Sequence, residues 1–340
     1  MSGTILSAGA DCNKNRVAWI DSLKGFAIIC VVVGHVLLGY IKANTFVEVN
    51  DYLTIAKDFL YSFHMPLFFF ISGYVFSLAY VGDDGNVKRH KLKWQLLNVI
   101  TIYTVFSVVI ILLKLLMPNL GADKASWTDL LLLYVRPFGI YWYLFILALY
   151  YVTFGFFPSP SVTKCFVFSA ILLTFVDFPY FEVHRFAFNL PFFALGFGRK
   201  LQKVRWSSAL VCLFVAVLLF YLMEAGIFEG VFAPILSIVL ALFFCVFFVK
   251  VFTSSHFDAA PFLMLCGRRC LEIYLLHTYV IALVRVLCGG CNVFLSVVVS
   301  AILSTALPIL FAMWLERLGV HDILFRPAHW LRRIRKDRQQ

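Results

Sequence analysis

Asp21, Lys24 and His35 share one face of the first long apolar segment of this 340-residue chain. Lys24 follows Asp21 by three positions and His35 follows Lys24 by eleven. At about 100° per residue, all three fall within roughly 60° of one another on a helix. At about 1.5 Å per residue, Lys24 and His35 stand about 16 Å apart along the axis. An imidazole titrates near physiological pH, so His35 can take or return a proton, or act as a covalent nucleophile. Lys24 can hold a carbonyl or an anionic group, or ion-pair with Asp21 one turn away. A charged side chain inside a bilayer costs on the order of 3 kcal/mol or more, so the stripe has to face protein or a wet cavity. His64, beside Met65-Pro66 in the next apolar segment, is open to two readings. It is a second acid/base or a group that orients His35 through a hydrogen bond, on the one hand, or a packed histidine, on the other.

The elements that carry these residues are membrane helices. The chain is 62% hydrophobic and only 14% charged, with 38 Phe and 7 Trp, beyond what a soluble domain carries. Apolar runs and breakers predict an all-α, polytopic membrane protein of about ten transmembrane helices. They fall at 17–40, 53–80, 94–117, 140–157, 162–178, 186–198, 207–223, 231–252, 270–287 and 293–315. The sixth is short and holds Pro191 and Gly196, which marks it as broken or re-entrant. Residues 1–16 read as a polar cytoplasmic tail without a signal peptide, 17–316 as the membrane domain, and 317–340 as a basic cytoplasmic tail. Neither an appended soluble domain nor an internal repeat is visible.

Basic residues alternate between the two sets of helix ends. One set holds Lys14, Arg16, Lys88, Arg89, Lys91, Lys93, Lys164, Arg199, Lys200, Lys203, Arg205, Lys250, Arg268, Arg269 and the tail; the other holds Lys42, Lys124, Arg136 and Arg185. Both termini are therefore expected in the cytoplasm, with Lys24 toward the cytoplasmic side and His35 and His64 in the outer half. The net charge of +11 sits in short loops, which suits topology and anionic lipid and not a nucleic-acid groove. Of nine cysteines, most lie inside apolar runs as small hydrophobes. Cys288 and Cys291 flank a Gly-Gly turn and are either a disulfide or a plain loop; one CxxC lacks the second ligand pair of a zinc site, so no metal is expected.

Two stretches carry a family resemblance. Asp21-Ser-Leu-Lys-Gly, with His35 eleven positions beyond Lys24, and Phe63-His-Met-Pro-Leu-Phe-Phe-Phe-Ile-Ser-Gly73 resemble the acyltransferase-3 family of integral membrane O-acyltransferases. Lys24 stands where the family more commonly has Arg. Lys88-Arg-His-Lys-Leu-Lys93, Trp142-Tyr-Leu144, Leu190-Pro-Phe-Phe-Ala-Leu-Gly196 and Leu271-Glu-Ile-Tyr-Leu-Leu-His277 continue the resemblance in order, over about residues 16–316.

The resemblance implies a stand-alone enzyme moving an acyl group, most commonly acetyl from acetyl-CoA, to a hydroxyl of a cell-envelope glycan or lipid-linked sugar at an inner (plasma) membrane. His35 is then the general base or a transient acyl carrier, with Lys24, Asp21 and His64 beside it. CoA phosphates need cytoplasmic cations. Lys88, Arg89, Lys91 and Lys93 are the first candidates, with Arg199 and Lys200 next; the alternative is topogenic charge touching anionic lipid. Glu272 and His277 are five apart and so on different faces, each open to an interhelical partner. His184-Arg185, beside Glu182, either touches the acceptor or is solvated, and Tyr141, Trp142 and Tyr143 either stack on sugar or form an interfacial belt. A transporter or flippase for a glycan or small metabolite is the alternative, since transporters also keep charges at mid-membrane.

Overall fold

A computed structural model describes residues 18–117, 124–175, 178, 180–198, 204–228, 230–254, 260–288 and 292–337. Among these the regular structure is helical, apart from an isolated bridge between Val81 and Val87. The chain begins with α1 (Ala18–Lys42), α2 (Asn50–Tyr61), α3 (His64–Tyr80), α4 (Arg89–Leu116) and the short α5 (Trp127–Leu131). It continues with α6 (Trp142–Phe156), α7 (Pro160–Leu173), α8 (Val183–Phe197), α9 (Trp206–Glu224) and α10 (Ala233–Thr253). Then come α11 (Pro261–Arg268), α12 (Cys270–Cys288), α13 (Val293–Arg317), α14 (His321–Phe325) and α15 (Pro327–Asp337).

Eight segments among the described residues are long and apolar enough to cross a bilayer: α1, α2 with α3, α4, α6 with the turn before it, α9, α10, α12 and α13. The other two expected crossings, α7 and α8, have 14 and 15 residues. At about 1.5 Å each they reach roughly 22 Å, less than the roughly 30 Å of hydrocarbon. Apolar side chains also line the outside, as with Phe214 on α9 at 70% exposure, which is a lipid-facing and not a water-facing surface.

The expected second helix is two helices. Pro66 has no N–H for the Ser62 carbonyl, and its ring would clash there, so the chain breaks at Ser62-Phe63 and restarts at His64. The Leu60 carbonyl, which a continuous helix would give to the His64 N–H, accepts instead from His64 Nδ1–H at 2.7 Å. The break thereby fixes the ring that the sequence marks. The sixth expected helix, by contrast, is continuous through Pro191 as α8. Side chains serve carbonyls on the crowded turn: Tyr150 donates to Phe186 O at 2.6 Å and Asn189 to Arg185 O at 2.8 Å.

Two glycine pairs set the closest crossings. A methyl at Gly25 on α1 would overlap the Leu263 carbonyl oxygen of α11, and one at Gly267 would overlap that of Asp21. Gly73 on α3 meets the Phe193 carbonyl of α8 in the same way, and Gly196 meets that of Phe70. The helix α11 falls in the interval between the eighth and ninth expected helices. Eight residues after a proline are too few to register as a span. Residues 321–337, expected as a tail, form α14 and α15.

Candidate active site

His35, about two turns before the outer end of α1 in the expected orientation, stands among three aromatic groups from three other helices. Tyr61, the last residue of α2, places its hydroxyl 3.3 Å from His35 Nδ1. The His277 ring of α12 lies 5.2 Å away between centroids, and Tyr61 in turn packs edge-on against His64 at 4.8 Å. Two of the four sequence-marked residues, His35 and His64, are thus brought to one centre with Tyr61 between them.

The histidines differ in what they offer. His277 is fully buried, and its Nδ1 faces the Ile273 and Tyr274 carbonyls at 3.0 and 2.8 Å. Carbonyls only accept, so Nδ1 carries the proton and Nε2 presents a lone pair. Among the described residues that Nε2 is a buried nitrogen with no hydrogen-bond partner. A buried polar atom left so is uncommon in a stable interior. His64 has the same tautomer, held by the Leu60 carbonyl.

Two cavities approach this centre. One, of about 410 Å³, is lined by Tyr61, Asp58, Ser62, His184, Arg185 and Glu224. Arg185 is held by Glu182 at 2.9 Å and by the face of Trp142 at 4.8 Å, so the sequence-marked His184-Arg185 pair stands in this wall. The other, of about 370 Å³, is lined by Lys24, Arg268, Arg326, Ser72, Tyr143 and Tyr274, and its wall also includes Val31 and Met65. Val31 is one turn before His35, and Met65 is next to His64. This second cavity therefore runs along the same stretches of α1 and α3 that carry His35 and His64, neither of which is in its lining. Tyr61 lines the first cavity and bonds His35, so His35 stands one side chain behind that cavity's wall.

The cations fall into two groups. Asp21 is buried, with its carboxylate 3.6 Å from Arg268 Nε, and Lys24 lines the second cavity. Lys88, Arg89, Lys91 and Lys93 are exposed and are not in that lining among the described residues. Lys91 donates to the Ala79 carbonyl at 3.2 Å and lies over Tyr80. Arg199, Lys200 and Cys291 fall outside the described residues, as does the side chain of Cys288. Of the aromatic block, Tyr141 is buried against Tyr279 at 3.1 Å, Trp142 is covered by Arg185, and Tyr143 bonds Ser72 at 2.8 Å.

Glu272 finds its interhelical partner in His321, at 3.0 Å. His277 instead bonds its own helix and faces His35. Tyr61 and His277 were not paired with His35 from sequence. The one available signal was that Tyr61 precedes His64 by one turn, while the His277 contact depends on how α12 packs against α1. Among the described residues no group of three or more His, Cys, Asp or Glu could hold a metal ion.

The family model described as "Acyltransferase domain", Acyl_transf_3, matches residues 17–314. A protein named nodulation protein NolL from Mesorhizobium japonicum is 29% identical over 212 residues, 58% of this chain and 51% of that protein. The protein of the same name from Sinorhizobium fredii is 46% identical over 71 residues, 21% of this chain and 18% of that protein. The chain thus spans about half, or less, of the length of these curated relatives. No solved structure matches it.

Proposed function

The chain belongs to the acyltransferase-3 family and is a multi-pass membrane acyltransferase, and from that premise we propose that it moves an acyl group, acetyl in the first instance, from acyl-CoA to a hydroxyl of a cell-envelope glycan or lipid-linked sugar. The observation that carries the reading is His35 bonded to Tyr61, which lines one cavity, on the same helix as Lys24, which lines a second cavity together with Arg268 and Arg326. The cationic cavity suits a phosphorylated donor, and the basic-residue bias of the loops puts it on the cytoplasmic side, where CoA is found. Both termini are then cytoplasmic, and the membrane is the inner (plasma) membrane.

The chemistry follows from the groups present. Tyr61 accepts from His35 Nδ1–H and orients the ring, which leaves the Nε2 lone pair for the acceptor hydroxyl. Neutral His35 takes its proton as the oxygen attacks the thioester carbonyl carbon. A C–O bond forms, the C–S bond breaks, and the CoA thiolate leaves, to be reprotonated by the imidazolium. In the two-step route, His35 first carries the acyl group itself and the hydroxyl then attacks the acyl-imidazole. Both routes need His35 accessible from both cavities.

Transport of a solute, the alternative left open by the residues alone, gives no account of membership in an acyltransferase family. The test is turnover of radiolabelled acetyl-CoA by purified protein, read as CoA release and label transfer. Wild type is expected to turn over and His35→Ala to lose at least about a hundredfold. Equal turnover in the two would sink the role given to His35, and saturable solute uptake into proteoliposomes with no CoA release would support transport instead.

A further inference from the structure

The family match ends at residue 314, yet one of the three cations lining the donor cavity is Arg326. Its placement is not that of a loose tail. On its N-terminal side, His321 Nε2–H donates to the buried Glu272 Oε1 at 3.0 Å, and Phe325, 1% exposed, stacks on Phe106 of α4 at 6.1 Å. On its C-terminal side, the Ala328 N–H donates to Asn98 Oδ1 at 3.3 Å, and the Arg332 guanidinium lies 5.7 Å over Trp94. Arg326 is held between those two anchors. Asn98, the anchor for α15, is 5% exposed and is itself part of the cavity wall.

Arg268 enters the same cavity from the end of α11, with its Nε 3.6 Å from Asp21. Among the described residues no carboxylate is ion-paired with the Arg326 guanidinium; Glu316, forked to Arg269, acts on it at longer range. Two guanidinium forks and an ammonium line this cavity, with Asp21 against Arg268 as the paired carboxylate, so the lining carries excess positive charge. Planar forks match phosphate oxygens two at a time, which a lysine does not do.

We propose that the C-terminal segment 321–337 is a working part of the donor site. Arg326 and Arg268 grip the phosphates of the nucleotide end of a CoA thioester across the cavity mouth, and Lys24 lies inward of them. This rests on the acyl-CoA reading above and moves the phosphate role from Lys88, Arg89, Lys91 and Lys93 to residues that line the cavity.

The test is the affinity of the full-length protein in phosphatidylcholine nanodiscs for CoA and for S-acetylpantetheine, which lacks the phosphates, by competition against labelled CoA. Wild type is expected to bind CoA at least tenfold tighter than S-acetylpantetheine. Arg326→Gln and Arg268→Gln should each lose about tenfold in CoA affinity with S-acetylpantetheine unchanged, and Arg333→Gln, on α15 outside the cavity lining, should match wild type. Unchanged CoA affinity in Arg326→Gln, with wild type preferring CoA, overturns this proposal alone. An equal loss for both ligands also overturns it, since that reports collapse and not phosphate contact. A wild type that binds CoA no tighter than S-acetylpantetheine overturns the donor reading and this proposal together. Should Arg326→Gln not fold, amide exchange in the wild type decides. Slower exchange across 321–334 at saturating CoA upholds the proposal, and unchanged exchange overturns it.

Discussion

The imidazoles of His35 and His277 lie 5.2 Å apart between centroids, one from the first helix and one from α12. Because His277 Nδ1–H is committed to its own helix, its Nε2 lone pair is available to the interior. An imidazole so placed can orient the His35 ring or stabilise the proton that His35 acquires. His277→Phe keeps the ring volume and removes the lone pair. The expected result is a fall in kcat of about tenfold or more with KM for the donor within about twofold, because the change touches the reacting centre and not the phosphate site. Steady-state kinetics beside a thermal melt would check it. Wild-type kcat with a wild-type melt would remove His277 from the site.

Tyr61→Phe tests the other neighbour of His35. It deletes one hydroxyl, 3.3 Å from Nδ1, and leaves the packing against His64 intact. A single hydrogen bond is worth about 0.5–1.5 kcal/mol net, so a fall in kcat of roughly two- to tenfold is expected with little change in thermal stability. A hundredfold loss would mean that Tyr61 does chemistry itself, and no loss would mean that the ring is oriented without it.

The glycines of the two crossings give a stability prediction with an internal control. On α1, Gly25→Ala would drive a methyl into the Leu263 backbone carbonyl, which no side-chain rotation relieves. Gly39→Ala, on the same helix, meets the Ile281 methyl at 3.4 Å, an ordinary contact. Gly25→Ala is expected to destabilise by about 1–3 kcal/mol or more, as overpacking does. Gly39→Ala should be neutral or stabilising by up to about 1 kcal/mol through helix propensity. Melting curves of the two purified variants would show it, and a reversed order would refute the crossing geometry.

The same positions mark what a linear reading could reach. The helices, the one-faced stripe and the approach of His35 and His64 follow from hydropathy and helical period, which are local properties of the chain. Gly25, Gly73 and Gly196 sit inside the stretches that carried the family resemblance, but their reason, backbone meeting backbone, exists only once α11 and α8 are docked. The break before His64 was written in Pro66 and overridden by the apolar run around it. Lys88 to Lys93 form the denser basic cluster in sequence, whereas Arg268 and Arg326 are brought to one cavity by contacts between distant segments. No period or spacing encodes that meeting.

Two carboxylate contacts near the Arg326 segment should rank differently. Glu272 and His321 are each 6% exposed, whereas the Arg269–Glu316 pair, though bidentate at 2.6 and 2.7 Å, leaves Glu316 44% exposed. A half-exposed pair contributes up to about 1 kcal/mol because water screens it. Removing Glu272 leaves the buried His321 N–H without its acceptor and takes a partner from Arg269 as well, and an unsatisfied buried polar group costs about 1–3 kcal/mol. Glu272→Ala should therefore lower the melting temperature more than Glu316→Ala does. Since His321 anchors α14 through Glu272, the first variant should also weaken CoA binding, and the second should not. Melting and CoA binding measured on the same two preparations separate the effects. A larger loss from Glu316→Ala would mean that the surface fork, and not the buried pair, holds the C-terminal segment against the cavity.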